Sequence, residues 1–178
     1  MLLNIAPMKR TALVLALMVL PMLAQAGDLE IIFQRKKENE GASKDKPYQN
    51  SSKTGQKWMG EIKIENHGFK PSPAVEVRYM LFVKRQQLGQ KFGTDQIEKV
   101  KGNAKVEPIK TGTSATVFTS EVSLAQQQLD PGWHFKNGGA VKAEDSVTGV
   151  WIKLFNGATE VAEFVNNPST KEKFKWEQ

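Results

Sequence analysis

Residues 75–83 read Val-Glu-Val-Arg-Tyr-Met-Leu-Phe-Val. In an extended chain, Val75, Val77, Tyr79, Leu81 and Val83 point to one side, and Glu76, Arg78, Met80 and Phe82 to the other. Alternation at period two marks a β-strand. Met80 and Phe82 make the second side apolar at mid-strand as well, so this strand is predicted to sit inside its sheet. Pro71 and Pro73 precede it and set its start.

The same period recurs along the chain. Leu29, Ile31 and Phe33 alternate through residues 28–34, and Trp58, Gly60, Ile62 and Ile64 through residues 58–65, where Asn66-His67-Gly68 stops the run. Residues 113–124 carry Phe118, Val122 and Leu124 on one parity, and a short strand is expected within 104–109. Residues 147–155 and 158–166 form a final pair around Asn156-Gly157, the dipeptide favoured by a type I′ hairpin turn. That turn predicts Lys153 opposite Glu160, Ile152 opposite Val161 and Trp151 opposite Ala162. Helical signals are brief: residues 95–100 behind Thr94 as N-cap, and residues 125–129 before Asp130-Pro131-Gly132. Residues 133–146 read as loop. Seven or so short strands without a long amphipathic helix predict an all-β fold, a two-layer antiparallel sandwich.

One stretch lacks any such pattern. Residues 36–56 hold only Ala42 and Tyr48 among apolar or larger types. They bury too little apolar surface to offset their ordering entropy, so a mobile segment is expected there.

The N-terminal residues carry Lys9-Arg10, an apolar run over 12–24 and Ala24-Gln25-Ala26 before Gly27. This is the order of a cleavable signal peptide over residues 1–26. The run falls short of the ~20 residues that span a bilayer, so no transmembrane segment is expected. Residues 27–178 are then expected to form a single domain. With no Cys in the chain, that domain has no disulfide and depends on its apolar core.

Without Lys9 and Arg10, 23 basic and 19 acidic residues remain, an excess of +4. Residues 35–57 contain seven basic and three acidic residues, so they carry all of it. A nucleic-acid-binding domain spreads its charge differently, and no nucleic-acid partner is expected. Lys36, Lys37, Lys44, Lys46 and Lys53 of this stretch are candidates for a polyanion-binding surface, with a solvated tether as the plainer reading. Trp133, His134 and Phe135 form a second candidate surface, since loop-borne aromatics anchor ligands at the ends of sandwiches or else cap the core.

Signs of catalysis are lacking. No Ser lies in a Gly-x-Ser-x-Gly turn and no phosphate-cradling loop opens a helix. His67 and His134, the two histidines, have no ligand-type partner at helical or hairpin metal spacing, so no metal or cofactor is expected. Glu144-Asp145 lacks the spacing of a calcium loop and reads as a solvated loop edge.

Residues 75–83, residues 149–155 (Gly-Val-Trp-Ile-Lys-Leu-Phe), Val161-Ala162-Glu163-Phe164 and Asn167-Pro168-Ser169 together resemble the small secreted immunoglobulin-like proteins of diderm bacteria. One branch of that family resembles pilus subunits and occurs beside type IV pilus genes. The resemblance covers roughly residues 58–176 and implies an immunoglobulin-like sandwich, with its core built on Trp58, Tyr79 and Trp151. It carries no active-site residues. The expected function is that of an exported, non-catalytic envelope domain, periplasmic or on the cell surface, that binds a protein or glycan in an adhesive or pilus-linked role. The alternatives are a sandwich-fold carbohydrate-active hydrolase and a purely structural envelope protein.

Overall fold

The computed structural model describes residues 28–42, 47–91 and 93–177, with the side chains of 37–42 outside that description. The signal peptide expected over 1–26 also lies outside it. Nine strands are present among the described residues. They are β1 (Leu29–Ala42), β2 (Ser51–Asn66), β3 (Val75–Arg85), β4 (Gln96–Val106), β5 (Ser114–Phe118), β6 (Val122–Leu129), β7 (Lys142–Glu144), β8 (Ser146–Asn156) and β9 (Thr159–Val165), followed by one short helix, α1 (Ser169–Lys173).

All pairings are antiparallel. One sheet has the order β1-β2-β6-β7, with β5 continuing the line of β6 along β2, and the other has the order β4-β3-β8-β9. This is the strand arrangement of an immunoglobulin-like sandwich, with β1-β2 and β5/β6 facing the sheet that has β3 and β8 at its centre. The all-β expectation holds, with nine strands in place of about seven.

The alternation in residues 75–83 has the consequence expected of it. Val77, Tyr79, Leu81 and Val83 join Trp58, Ile62, Ile64, Val150, Ile152 and Leu154 in the core between the sheets. Tyr79 also ties the layers together, because its hydroxyl accepts from Ser120 N at 2.7 Å at the break between β5 and β6. On the opposite side of β3, Met80 and Phe82 pack with Trp151 under the C-terminal residues Phe174 and Trp176. Phe82 stacks on Phe174 at 4.3 Å between centroids, and Trp151 meets Trp176 edge-on at 5.3 Å. Trp151 is therefore buried as expected, but in this outer cluster and not between the sheets.

Four local expectations are corrected. Residues 36–42 and 51–56, read as part of a mobile segment, lie in β1 and β2. Ser51 to Trp58 of β2 pair with β6, and Thr54 to Trp58 pair with β1 as well, so from Thr54 on the backbone has partners on both sides despite the polar side chains. Residues 96–100 and 125–129, read as helical turns, are strand in β4 and β6 for the same reason: each has a long partner strand. The single strand expected over 113–124 is two, separated by Thr119-Ser120-Glu121. Lastly, the expected final hairpin forms, but its turn residues are Gly157 and Ala158, with Asn156 paired to Thr159. Only Gly157 has positive φ (+60°), the pattern of a type II′ turn. An irregularity at Leu154/Phe155 then shifts the register, so that Lys153 faces Glu163, Ile152 faces Phe164 and Trp151 faces Val165. The Lys153–Glu160 ion pair still forms at 2.7 Å, as a diagonal contact.

A candidate binding cleft on the outer face

β3 and β4 pair with Glu76 facing Lys105, Arg78 facing Asn103, Met80 facing Lys101 and Phe82 facing Lys99. Period two puts all eight side chains on the outer face of the sheet. The apolar half of that face is roofed by Phe174 and Trp176. Where the roof ends, a cleft of about 370 Å³ opens, lined by Glu76, Arg78, Lys101, Asn103, Trp176 and Glu177 among others.

The polar groups of the cleft hold one another in place. The Arg78 guanidinium donates to Glu76 Oε2 at 2.7 Å and lies 4.5 Å from the Phe155 ring centroid. Asn103 Nδ2 donates to Glu76 Oε1 at 3.3 Å. Lys99 and Lys101 both engage the Glu177 carboxylate, Lys101 at 3.1 Å. The hydrogen bond from Arg78 holds the Glu76 carboxyl below its ordinary pKa, against some desolvation. Hydrogen bonds from Lys99 and Lys101 do the same for Glu177. At neutral pH both carboxylates are ionised acceptors. Trp176 is half-buried, and its Nε1 has no hydrogen-bond partner among the described residues. An indole beside fixed acceptors, a guanidinium and a carboxamide can bind a ligand that offers both an apolar face and hydroxyl groups.

The residues singled out from sequence lie elsewhere. Lys36, in β1, pairs with Glu61 at 2.7 Å and sits 4.8 Å from the Phe118 ring centroid. Lys53 lies in β2, six residues before the Met59 that faces Lys36, a separation of roughly 20 Å along the strand. The backbone of Lys37 pairs with Trp58, and Lys44 and Lys46 lie outside the described residues. Lys36 and Lys53 are thus not brought together, and Lys36 is charge-paired. Of the aromatic trio, Phe135 packs against Leu88, Leu129 and Ala143 and meets Tyr48 edge-on at 5.3 Å. Trp133, 58% exposed, and His134 remain on the surface.

Asp145, read as part of a solvated edge, is a structural tie. It accepts from Arg85 Nη1 at 3.0 Å, from Gln86 N at 3.0 Å and from Ala125 N at 3.1 Å, joining β3 to β6. The cleft itself escaped sequence reasoning because its residues come from three stretches, 76–79, 101–103 and 176–177. The usable signal was the alternation of Phe174 and Trp176 with lysines in a tail that follows a strand with two apolar faces.

No family model matches the chain, and no curated protein matches it. Among solved structures, a protein from Akkermansia muciniphila is similar at 11% identity and a TM-score of 0.34, over 82% of this chain and 75% of that one. The putative ApaA protein from Bordetella pertussis is similar at 11% identity and a TM-score of 0.34, over 78% of this chain and 93% of that one. At these scores neither likeness bears on function.

Proposed function

We propose that this chain is an exported, non-catalytic binding domain of the cell envelope, and that a glycan occupies the cleft beside Trp176. The observation that carries the reading is the meeting of an indole with fixed, ionised and amide hydrogen-bonding groups on the outer face of β3 and β4. Sugars present apolar C–H faces and rings of hydroxyls, and such a surface offers partners for both. The signal-peptide pattern over residues 1–26 and the resemblance to secreted immunoglobulin-like proteins support the envelope location. A pilus-linked role rests on that resemblance alone.

The cleft's carboxylates support binding over hydrolysis. A glycosidase needs one carboxyl held protonated at working pH to act as acid. Glu76 and Glu177 are both shifted the other way by their cationic neighbours.

The test is a panel of neutral and acidic oligosaccharides screened against the tag-free protein, with hits measured by calorimetry. The reading expects saturable binding without turnover, weakened tenfold or more by Trp176→Ala and by Asn103→Ala, and unchanged by Trp133→Ala. Binding lost with Trp133→Ala alone, or no binding to any member of the panel, would overturn it.

A further inference from the structure

Glu30 and Glu65 face each other directly across the β1–β2 pair. Like charges directly opposite in an antiparallel pair repel, and a strand pair normally avoids them. Here a third ligand-type side chain joins them from the turn that ends β2. His67 Nε2 lies 2.9 Å from Glu30 Oε2 and 3.3 Å from Glu65 Oε2, and all three groups lie within 4.8 Å of one another. Lys63 occupies the other oxygen of Glu65, at 2.5 Å, and leaves Oε2 turned to the histidine. The Asp28 carboxylate lies against the neighbouring Gly68. Glu30 and Glu65 against Lys63 leave one formal negative charge beside the imidazole.

We propose that Glu30, Glu65 and His67 form a surface site for one zinc ion. Zinc takes imidazole nitrogen and carboxylate oxygen at about 2.0 to 2.2 Å in tetrahedral geometry, which sets neighbouring ligand atoms at roughly 3.3 to 3.6 Å. The 3.3 Å separation from Glu65 falls in that range, and the 2.9 Å contact with Glu30, a hydrogen bond without the ion, opens by only a few tenths of an ångström to admit it. The ion would offset the facing Glu30 and Glu65 carboxylates and relieve the cross-strand repulsion. One His and two carboxylates leave a fourth position for water or for a group from a partner.

The platform is rigid. Asn66 is buried; its Nδ2 donates to the carbonyls of Lys70 and Ile109 at 2.9 Å each, and its Oδ1 accepts from Gly68 N at 2.9 Å. His67 N donates to Asp28 O at 2.8 Å, which fastens the turn to the start of β1. Such support holds ligands near their bound geometry before the metal arrives. Sequence spacing hid the set, because Glu30 is 37 residues from His67 and only the strand register brings them together.

Calorimetric titration of the tag-free protein with zinc chloride tests the site, with cobalt(II) absorption in the visible as a second readout. The expected result is one ion per chain, with affinity reduced tenfold or more by His67→Ala and by Glu30→Gln, and a matching loss of the cobalt bands. Glu30 is exposed, so Glu30→Gln reports on binding even if His67→Ala were to disturb the turn. With only two histidines in the chain, His134→Ala is the control and should bind like the parent. Absence of saturable uptake, or uptake that survives both His67→Ala and Glu30→Gln, would overturn the proposal.

Discussion

Trp151→Ala is the most informative perturbation of the fold, because it separates the outer cluster from the core between the sheets. Trp151 is 6% exposed. Its ring meets Trp176 at 66°, and its Nε1 donates to Glu163 Oε1 at 2.7 Å. Emptying a buried large aromatic site costs ~3 to 5 kcal/mol, of which the edge-on aromatic pair accounts for about 0.5 to 1.5 kcal/mol. The lost hydrogen bond strands no carboxylate, since Glu163 keeps Lys153 and Lys171. A loss of about 3 to 4 kcal/mol is therefore expected. With a urea m-value of about 2 kcal/mol per molar, the midpoint should fall by roughly 1.5 to 2 M. Far-UV circular dichroism is the proper signal, because three other tryptophans contribute to fluorescence. A double-mutant cycle with Trp176→Ala should return a coupling of about 0.5 to 1.5 kcal/mol. A midpoint shift under about 0.5 M, or no coupling, would refute the claim that the C-terminal segment closes an apolar cluster on this face.

Thr54→Pro should destabilise by about 3 kcal/mol or more in urea unfolding, because Thr54 sits in β2 with β1 on one side and β6 on the other; a mobile segment would tolerate it. Gly157→Val should cost about 1 to 2 kcal/mol through backbone strain alone, since φ is +60° and nothing lies near the added Cβ. Gly102→Ala should disrupt by contact instead, as its Cβ would come 2.2 Å from Tyr79 Oη, and the Tyr79–Ser120 link between layers should loosen in hydrogen exchange. Burial works against the charge on Glu163, but the hydrogen bonds from Lys171 and Trp151 and the charges of Lys153 and Lys171 outweigh it and lower its pKa. Its stabilising contribution is thus present above the ordinary carboxylate pKa and lost as pH falls through the lower folded value. Glu163→Gln should accordingly lower the urea midpoint at pH 7, and the difference from the parent should close progressively below about pH 4.5. A gap that stayed constant with pH would remove this assignment.

Strand periodicity alone identified β3 and the apolar second face at Met80 and Phe82, and the Asn156-Gly157 signal identified the existence of the β8–β9 hairpin. These are local facts: alternation in one segment already states which side chains leave water. It is silent about partners. Residues 51–56 carry almost no apolar signal, yet they are strand because β6 pairs with all of them and β1 with 54–56, a condition met only after distant segments assemble. The β8–β9 register likewise depended on an irregularity at Leu154/Phe155 that no turn rule foretold. Both candidate sites belong to this second class. The cleft needs the C-terminal Trp176 and Glu177 laid across β3 and β4, and the Glu30–Glu65–His67 set needs the β1–β2 register. Side-chain alternation is set by the geometry of each strand, whereas the meeting of residues far apart in the chain is set by backbone pairing and layer packing, which exist only in the folded state.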